Sequence, residues 1–167
     1  MWRWLPIALM VVVACSRASD EKQAKKWQEA PPPSDVQIPA TVDIAVTIDG
    51  SAKPSITSAS LTGVKPDFVD VEHRAWRIST LLGALAPGSS VEASSPTGVA
   101  VKFTTPLPDG FEPVLFLTRR GEVIAGALDP KDPFPRYHGQ GSRLRRPGDT
   151  MPRVSPVTKL TLTRPTP

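Results

Sequence analysis

An α+β fold, carried by a mainly antiparallel or mixed β-sheet with one or two short helices, is the class this sequence predicts. Three observations lead there. Val42, Ile44, Val46 and Ile48 alternate with Thr41, Asp43, Thr47 and Asp49, which is the period of a half-buried strand. Further apolar runs of strand length come in pairs joined by turn residues. Only one run, Ile78, Leu81, Leu82 and Leu85, has helical spacing.

The elements follow in order from the first residue. Met1 and Arg3 lead into Leu5, Ile7, Ala8, Leu9, Met10, Val11, Val12 and Val13, and Ala14 precedes Cys15, the only cysteine. A charged start, a short apolar run and a small residue make an export signal. The run is too short to span a bilayer, which takes ~20 apolar residues, and Ser16, Arg17, Ser19 and Asp20 follow it at once. Residues 1–14 are therefore expected to be a lipoprotein signal peptide. The pattern resembles a bacterial lipobox, which implies a diacylglycerol on the Cys15 thiol, cleavage before it and a membrane anchor. Two or more acyl chains hold a protein essentially permanently, since each buried methylene contributes ~0.8 kcal/mol. Ser16 resembles outer-membrane sorting in a Gram-negative host. The expected location is then the cell envelope, lipid-anchored, on the outer membrane and facing the periplasm.

Residues 15–40 read as a tether. Lys22, Lys25, Lys26, Glu21 and Glu29 leave little to bury, and Pro31-Pro32-Pro33 stiffens the spacer. A helical turn or two around Trp27 fits before the prolines. Residues 41–167 then form a single expected domain, large enough to be stable without staples. Its first strand, 42–48, ends in the turn Asp49-Gly50. The helical run from Ile78 is stopped by Pro87-Gly88. Strands at 91–93 and 99–103 flank Ser94-Ser95-Pro96-Thr97-Gly98, and a second pair at 114–117 and 122–127 flanks Arg119-Arg120-Gly121. Prolines and charges dominate from Asp129 to Arg153, before Val157, Leu160 and Leu162 mark a last strand.

Charge and composition exclude several function classes. The chain carries 20 Lys and Arg against 16 Asp and Glu, net +4, and losing Arg3 with the signal lowers this to +3. That mild excess is concentrated in Arg136, Arg143, Arg145, Arg146 and Arg153. One cysteine allows no intramolecular disulfide and no multi-thiolate metal site. There is no phosphate-binding glycine loop, no histidine pair at metal spacing and no nucleophile elbow. His73 and His138 are the only histidines. The arginine segment has no interleaved aromatic except Tyr137, so nucleic acid is not an expected partner. His73, between Glu72 and Arg74, reads as a surface or internally satisfied histidine, and Trp76 as core.

The most specific constellation is His138-Gly139-Gln140-Gly141-Ser142-Arg143-Leu144-Arg145-Arg146-Pro147-Gly148. It resembles the turn of the oxidoreductase molybdopterin-binding domain, the sulfite-oxidase-like family, in which a His-Gly pair is followed by an arginine and then Pro-Gly. In that family the histidine and arginine of the turn contact the pterin and phosphate of the cofactor. The resemblance thus implies His138 and Arg143 as cofactor contacts, with Arg145 and Arg146 as further anion-binding candidates. A guanidinium offers planar bidentate donors to phosphate oxygens, and an imidazole adds another donor. The bland reading of the same residues is a solvated arginine loop whose glycines and Pro147-Gly148 only make turns.

Other segments resemble the family in the same order, from about Val42 to Leu162. They are the opening strand with Asp49-Gly50, Trp76-Arg77-Ile78-Ser79-Thr80-Leu81-Leu82, the hairpin at Ser95-Pro96-Thr97-Gly98-Val99, the strand Val114–Gly121 and the closing strand from Val154. The expected fold is accordingly sulfite-oxidase-like. The departures carry as much weight. The family ligates molybdenum through a cysteine thiolate ahead of the tryptophan segment, and here Lys65 to Arg74 contains no cysteine. Gly141 stands where a proline is common, and Ser155 where a basic residue is expected. Three functions remain open. The leading one is a lipid-anchored envelope protein with a non-catalytic domain that binds an envelope protein or an anionic ligand, or serves as an accessory. The others are a molybdopterin-dependent oxidoreductase without a cysteine ligand, and a purely structural envelope module.

Overall fold

The strand predicted at 42–48 forms as β1 (Asp43–Ile48) and turns directly into β2 (Ser51–Thr57). Asp49 and Gly50 both take positive φ, 50° and 77°, as a two-residue hairpin loop of the right twist requires. Pro54 and Ser55 of β2 together face Ala45 at a register shift. Proline lacks a ladder donor and is tolerated at such bulges and on edge strands. The structure, a computed structural model, describes residues 36–134 and 151–165. The expected signal peptide, Cys15, the expected tether up to residue 35 and the segment carrying His138, Arg143, Arg145 and Arg146 lie outside the described residues.

The chain continues through α1 (Ser58–Gly63), β3 (Phe68–Val69), β4 (His73–Arg77) and α2 (Ile78–Leu82). Thr57 caps α1 with a capping box: its hydroxyl accepts from Ser60 N, and its own N–H donates to Ser60 Oγ at 2.7 Å. Reciprocal bonds of this kind satisfy helix-end donors that would otherwise lack partners. The predicted helix is observed as α2, and Gly83 at φ 92° ends it before Leu85. The two predicted hairpins are β5 (Ser90–Ser94) with β6 (Ala100–Thr104), and β7 (Glu112–Thr118) with β8 (Val123–Leu128). The closing strand is β9 (Lys159–Thr163).

The described residues are mostly β, with two short α-helices, and their strands make two sheets rather than one. The first, ordered β2-β1-β9-β5-β6, is mixed; the second, β3-β4-β7-β8, is antiparallel. In the first, β9 runs parallel to β1, pairing Val46 with Leu160 and Ile48 with Leu162, and antiparallel to β5. The core lies between the sheets. Ile44, Val46, Val91, Leu160 and Leu162 face Trp76, Leu115, Leu117 and Ala125, with Leu61 and Ile78 closing the cluster. Trp76 is 1% exposed, and its indole N–H donates to Val64 O at 2.9 Å. Val36, at the end of the stretch read as tether, belongs to the same cluster. Pro39 O beside it accepts from the Ser58 hydroxyl and from Val42 N.

The two sheets differ on their outer faces. Asp43, Glu92, Lys102 and Lys159 leave the outer face of the five-stranded sheet polar and exposed. On the four-stranded sheet, Ala75, Val114, Phe116 and Leu128 form a second buried cluster with Phe68, Ile124 and Phe134. β7 is thus apolar on both faces, which is why Val114 to Leu117 reads as a continuous apolar run instead of an alternation. Leu160→Ala removes a fully buried side chain from the central strand and is expected to cost about 2–5 kcal/mol. The neighbouring Lys159→Ala is expected to stay within about 0.5 kcal/mol of wild type. Urea unfolding of both variants measures the contrast.

Candidate functional site

Cys15, His138, Arg143, Arg145 and Arg146, singled out from the sequence, fall outside the described residues, so the site is built from what borders them. Phe134 stacks on the His73 ring, with centroids 5.0 Å apart and planes 21° from parallel. Arg153 holds its guanidinium 5.9 Å from the Phe116 ring centroid. Met151 packs with Phe103, Leu107 and Ala127, and Val154 bridges to Ala125 of β8. Phe134 and Arg153 thus rest on one face of the four-stranded sheet, beside β4 and β7.

Lys65 to Arg74 forms the β3–β4 hairpin and its approach. Asp67 accepts from Arg77 N at 2.8 Å, from the Arg77 guanidinium at 2.9 Å and from the Thr80 hydroxyl at 3.1 Å. Arg77 also donates through Nε to Glu112, and its guanidinium lies 4.5 Å from the Phe68 ring centroid. Burial pushes the Asp67 carboxyl up, but the bonds from Arg77 N, Thr80 and the Arg77 side chain outweigh it and hold the group below the ordinary carboxylate range. The hydrogen bond to Glu112 leads the causes that raise Arg77 further above its already high value, against desolvation. The group is a charge clamp joining the hairpin approach, α2 and the start of β7.

Asp70 makes the turn itself. One oxygen accepts from Glu72 N at 2.8 Å and His73 N at 2.6 Å, and it lies 2.9 Å from His73 Nδ1. A carboxylate oxygen only accepts, so the Nδ1 of His73 carries the proton of that contact. His73 is 6% exposed and shielded by Phe134. It is thus the internally satisfied histidine of the two expected readings, not a surface one. Glu72 pairs with Arg119 of the β7–β8 hairpin at 3.5 Å. Among the described residues, no group of three or more His, Cys, Asp or Glu side chains is placed to hold a metal ion.

Two clefts open elsewhere. One, of about 310 Å³, lies between residues 36–38, the end of α1 and the loop into β3, with Trp76 beneath it and Lys65 and Arg74 among its lining. The other, of about 320 Å³, lies between Leu85, Pro87, Pro106 and Phe111, with Glu112 at its side. Sequence reasoning found Trp76 as core but neither cleft. It also missed the roles of Asp67, Asp70, Arg77 and Glu112. The nearest signal was an aspartate three residues before a histidine, the spacing of a turn closed by its own side chain. Arg77 and Glu112 are 35 residues apart, and no local pattern connects them.

Compared with family models, curated proteins and solved structures, the chain matches none. Its chemistry is therefore read from its own residues. Because Asp67 has a lowered folded-state pKa, its contribution to stability is full above the unfolded value of about 3.9 and is lost as pH falls through the folded value. Asp67→Asn is thus expected to unfold at lower urea than wild type at pH 7. The difference should narrow at pH 3, as midpoints recorded at the two pH values will show.

Proposed function

We propose that this is a lipid-anchored envelope protein carrying a degenerate, non-catalytic sulfite-oxidase-like domain, used for binding or as an accessory to another envelope component. The observation that carries this reading is the chemistry of residues 65–74. A molybdenum in this fold family needs a thiolate there, and the only cysteine stands at the proposed lipid anchor, Cys15. The candidate replacements are committed elsewhere: Asp67 to Arg77 and Thr80, and Asp70 and His73 to each other. These residues do not fit the metal.

What remains of the resemblance concerns anions. His138 and Arg143 retain the donor types that hold a pterin phosphate, and Arg145 and Arg146 add charge that suits an anionic ligand or an acidic partner surface. The proposed attachment at Cys15 places the protein at a membrane by acyl chains, and Ser16 suits the outer membrane facing the periplasm. No described helix is long and apolar enough to cross a membrane.

Two experiments test this reading. Metal analysis of protein purified from its native host is expected to find far less than one molybdenum per chain and no pterin fluorescence after oxidation; stoichiometric amounts of both would overturn the non-catalytic reading. Cys15→Ser is expected to abolish labelling by radioactive palmitate and to move the protein from the membrane fraction to the soluble one. Unchanged labelling and fractionation would remove the anchor.

A further inference from the structure

We infer that the free edge of the five-stranded sheet, strand β6, pairs with the same edge of a second copy of this chain. The inference does not rest on the anchor or on the sulfite-oxidase-like reading, and its failure would leave both untouched. An unpaired edge strand is a template for another strand, and folded proteins blunt such edges with proline, charge, bulges, shortness or cover. The edge strands of the two sheets are β2, β6, β3 and β8, and all but β6 are blunted. β2 carries the register shift, Pro54 and the exposed Lys53. β3 is two residues long. β8 is covered by the returning chain: Ala125 and Val154 exchange backbone bonds, and Val157 N donates to Val123 O.

The bonds of β6 to β5 show which of its backbone groups are left over. Ser95 N donates to Val99 O at one end of the pair, 2.8 Å, and Thr105 N to Ser89 O at the other, 2.9 Å. Antiparallel bonding alternates, so Val101 and Phe103 bond inward to Ala93 and Val91, and the N–H and C=O groups of Ala100, Lys102 and Thr104 face away. Among the described residues no strand pairs on that side. Val99, next to it, is 57% exposed.

This edge fits itself in one register. In an antiparallel pair centred on Val101, Ala100 of each copy lies opposite Lys102 of the other, and these residues exchange their outward backbone bonds. Ala100 is small and exposed, so the lysine stem has room. The two Val101 residues meet in the close, non-hydrogen-bonded pair, with ~4.5 Å between Cα atoms, and each Val99 lies diagonal to the other copy's Val101. Centring on Lys102 instead sets two lysines opposite each other, which is unfavourable. A strand this short buries less than the ~1,200 Å² of a stable interface, so the pair is weak and reversible.

The test uses the full chain in cells that express it, oxidised with copper phenanthroline and read on non-reducing gels. The parent chain, with Cys15 alone, is the background. Val101→Cys is expected to give a disulfide-linked dimer, because directly opposed residues fall within the ~4.4–6.8 Å between Cα atoms that a disulfide spans. Ala100→Cys and Lys102→Cys, although more exposed, are out of register with themselves and should give roughly a tenth as much. Two further changes are made in the Val101→Cys chain. Lys102→Pro removes an outward donor that the β5–β6 ladder does not use, and should cut crosslinking about tenfold. Ala100→Lys, at an exposed position, sets lysine against lysine and should cut it roughly threefold. Circular dichroism of the purified variants separates loss of pairing from loss of fold. The inference is overturned if Val101→Cys gives no more dimer than the parent, if Ala100→Cys or Lys102→Cys gives as much, or if folded Lys102→Pro and Ala100→Lys chains crosslink unchanged. A Val101→Cys adduct with a protein of another size, in place of the dimer, would overturn it too and give the edge to a different chain.

Discussion

The insertion of β9 between β1 and β5 is the constraint on which the rest of the structure depends. Without it, the five-stranded sheet is two separate hairpins, β1–β2 and β5–β6, with no pairing between them. Isolated hairpins are marginal in water. Leu160 and Leu162 bring the missing connection and also fill the middle of the core, facing the side of β7 and β8 that carries Leu115, Leu117 and Ala125. The contact spans more than a hundred residues of chain, from Ala45 to Lys159. Such pairings close late, because loop entropy must be overcome before the contact stabilises anything.

That distance explains which parts of the fold were legible in the sequence. β1, α2, both later hairpins and β9 each carry a local signature: alternation, helical spacing, or turn residues between apolar runs. β2 carries none. Lys53 and Pro54 interrupt it, most of its side chains are exposed, and its place is set by Asp49-Gly50 and by pairing with β1. β4 is equally hidden, because His73-Arg74-Ala75-Trp76-Arg77 mixes charge with core residues. Among its polar members, His73 is met by Asp70 and Arg77 by Asp67 and Glu112. The division into two sheets, and the place of β9 inside one of them, depend on which strands meet in space. No window of residues encodes that.

The site divides in the same way. Cys15, His138 and the arginines stand out by residue type and spacing alone, and they lie outside the described residues. The carboxylates at 67 and 70 looked like solvated loop charges. Three-dimensional placement turns them into structural groups: Asp67 ties the approach to β3 to the end of β4, and Asp70 shapes the turn between those strands. A carboxylate that is saturated by local donors is a poor metal ligand, because coordination must first displace those bonds. The β3–β4 hairpin of this chain is held by carboxylates already engaged with neighbouring donors.

The parallel pairing of β1 with β9 has one more consequence. The chain enters the sheet at Asp43, at one end of this pair, and leaves at Thr163, at the other. Tension applied between the two ends of the domain therefore pulls these adjacent strands along their length in opposite directions. Their ladder bonds are loaded together in shear, whereas a hairpin opened from its free end breaks them one at a time. The bond from Arg164 N to Asp49 Oδ1, 2.8 Å, adds a clasp at the exit. Any load applied across these two ends would therefore fall directly on that seam.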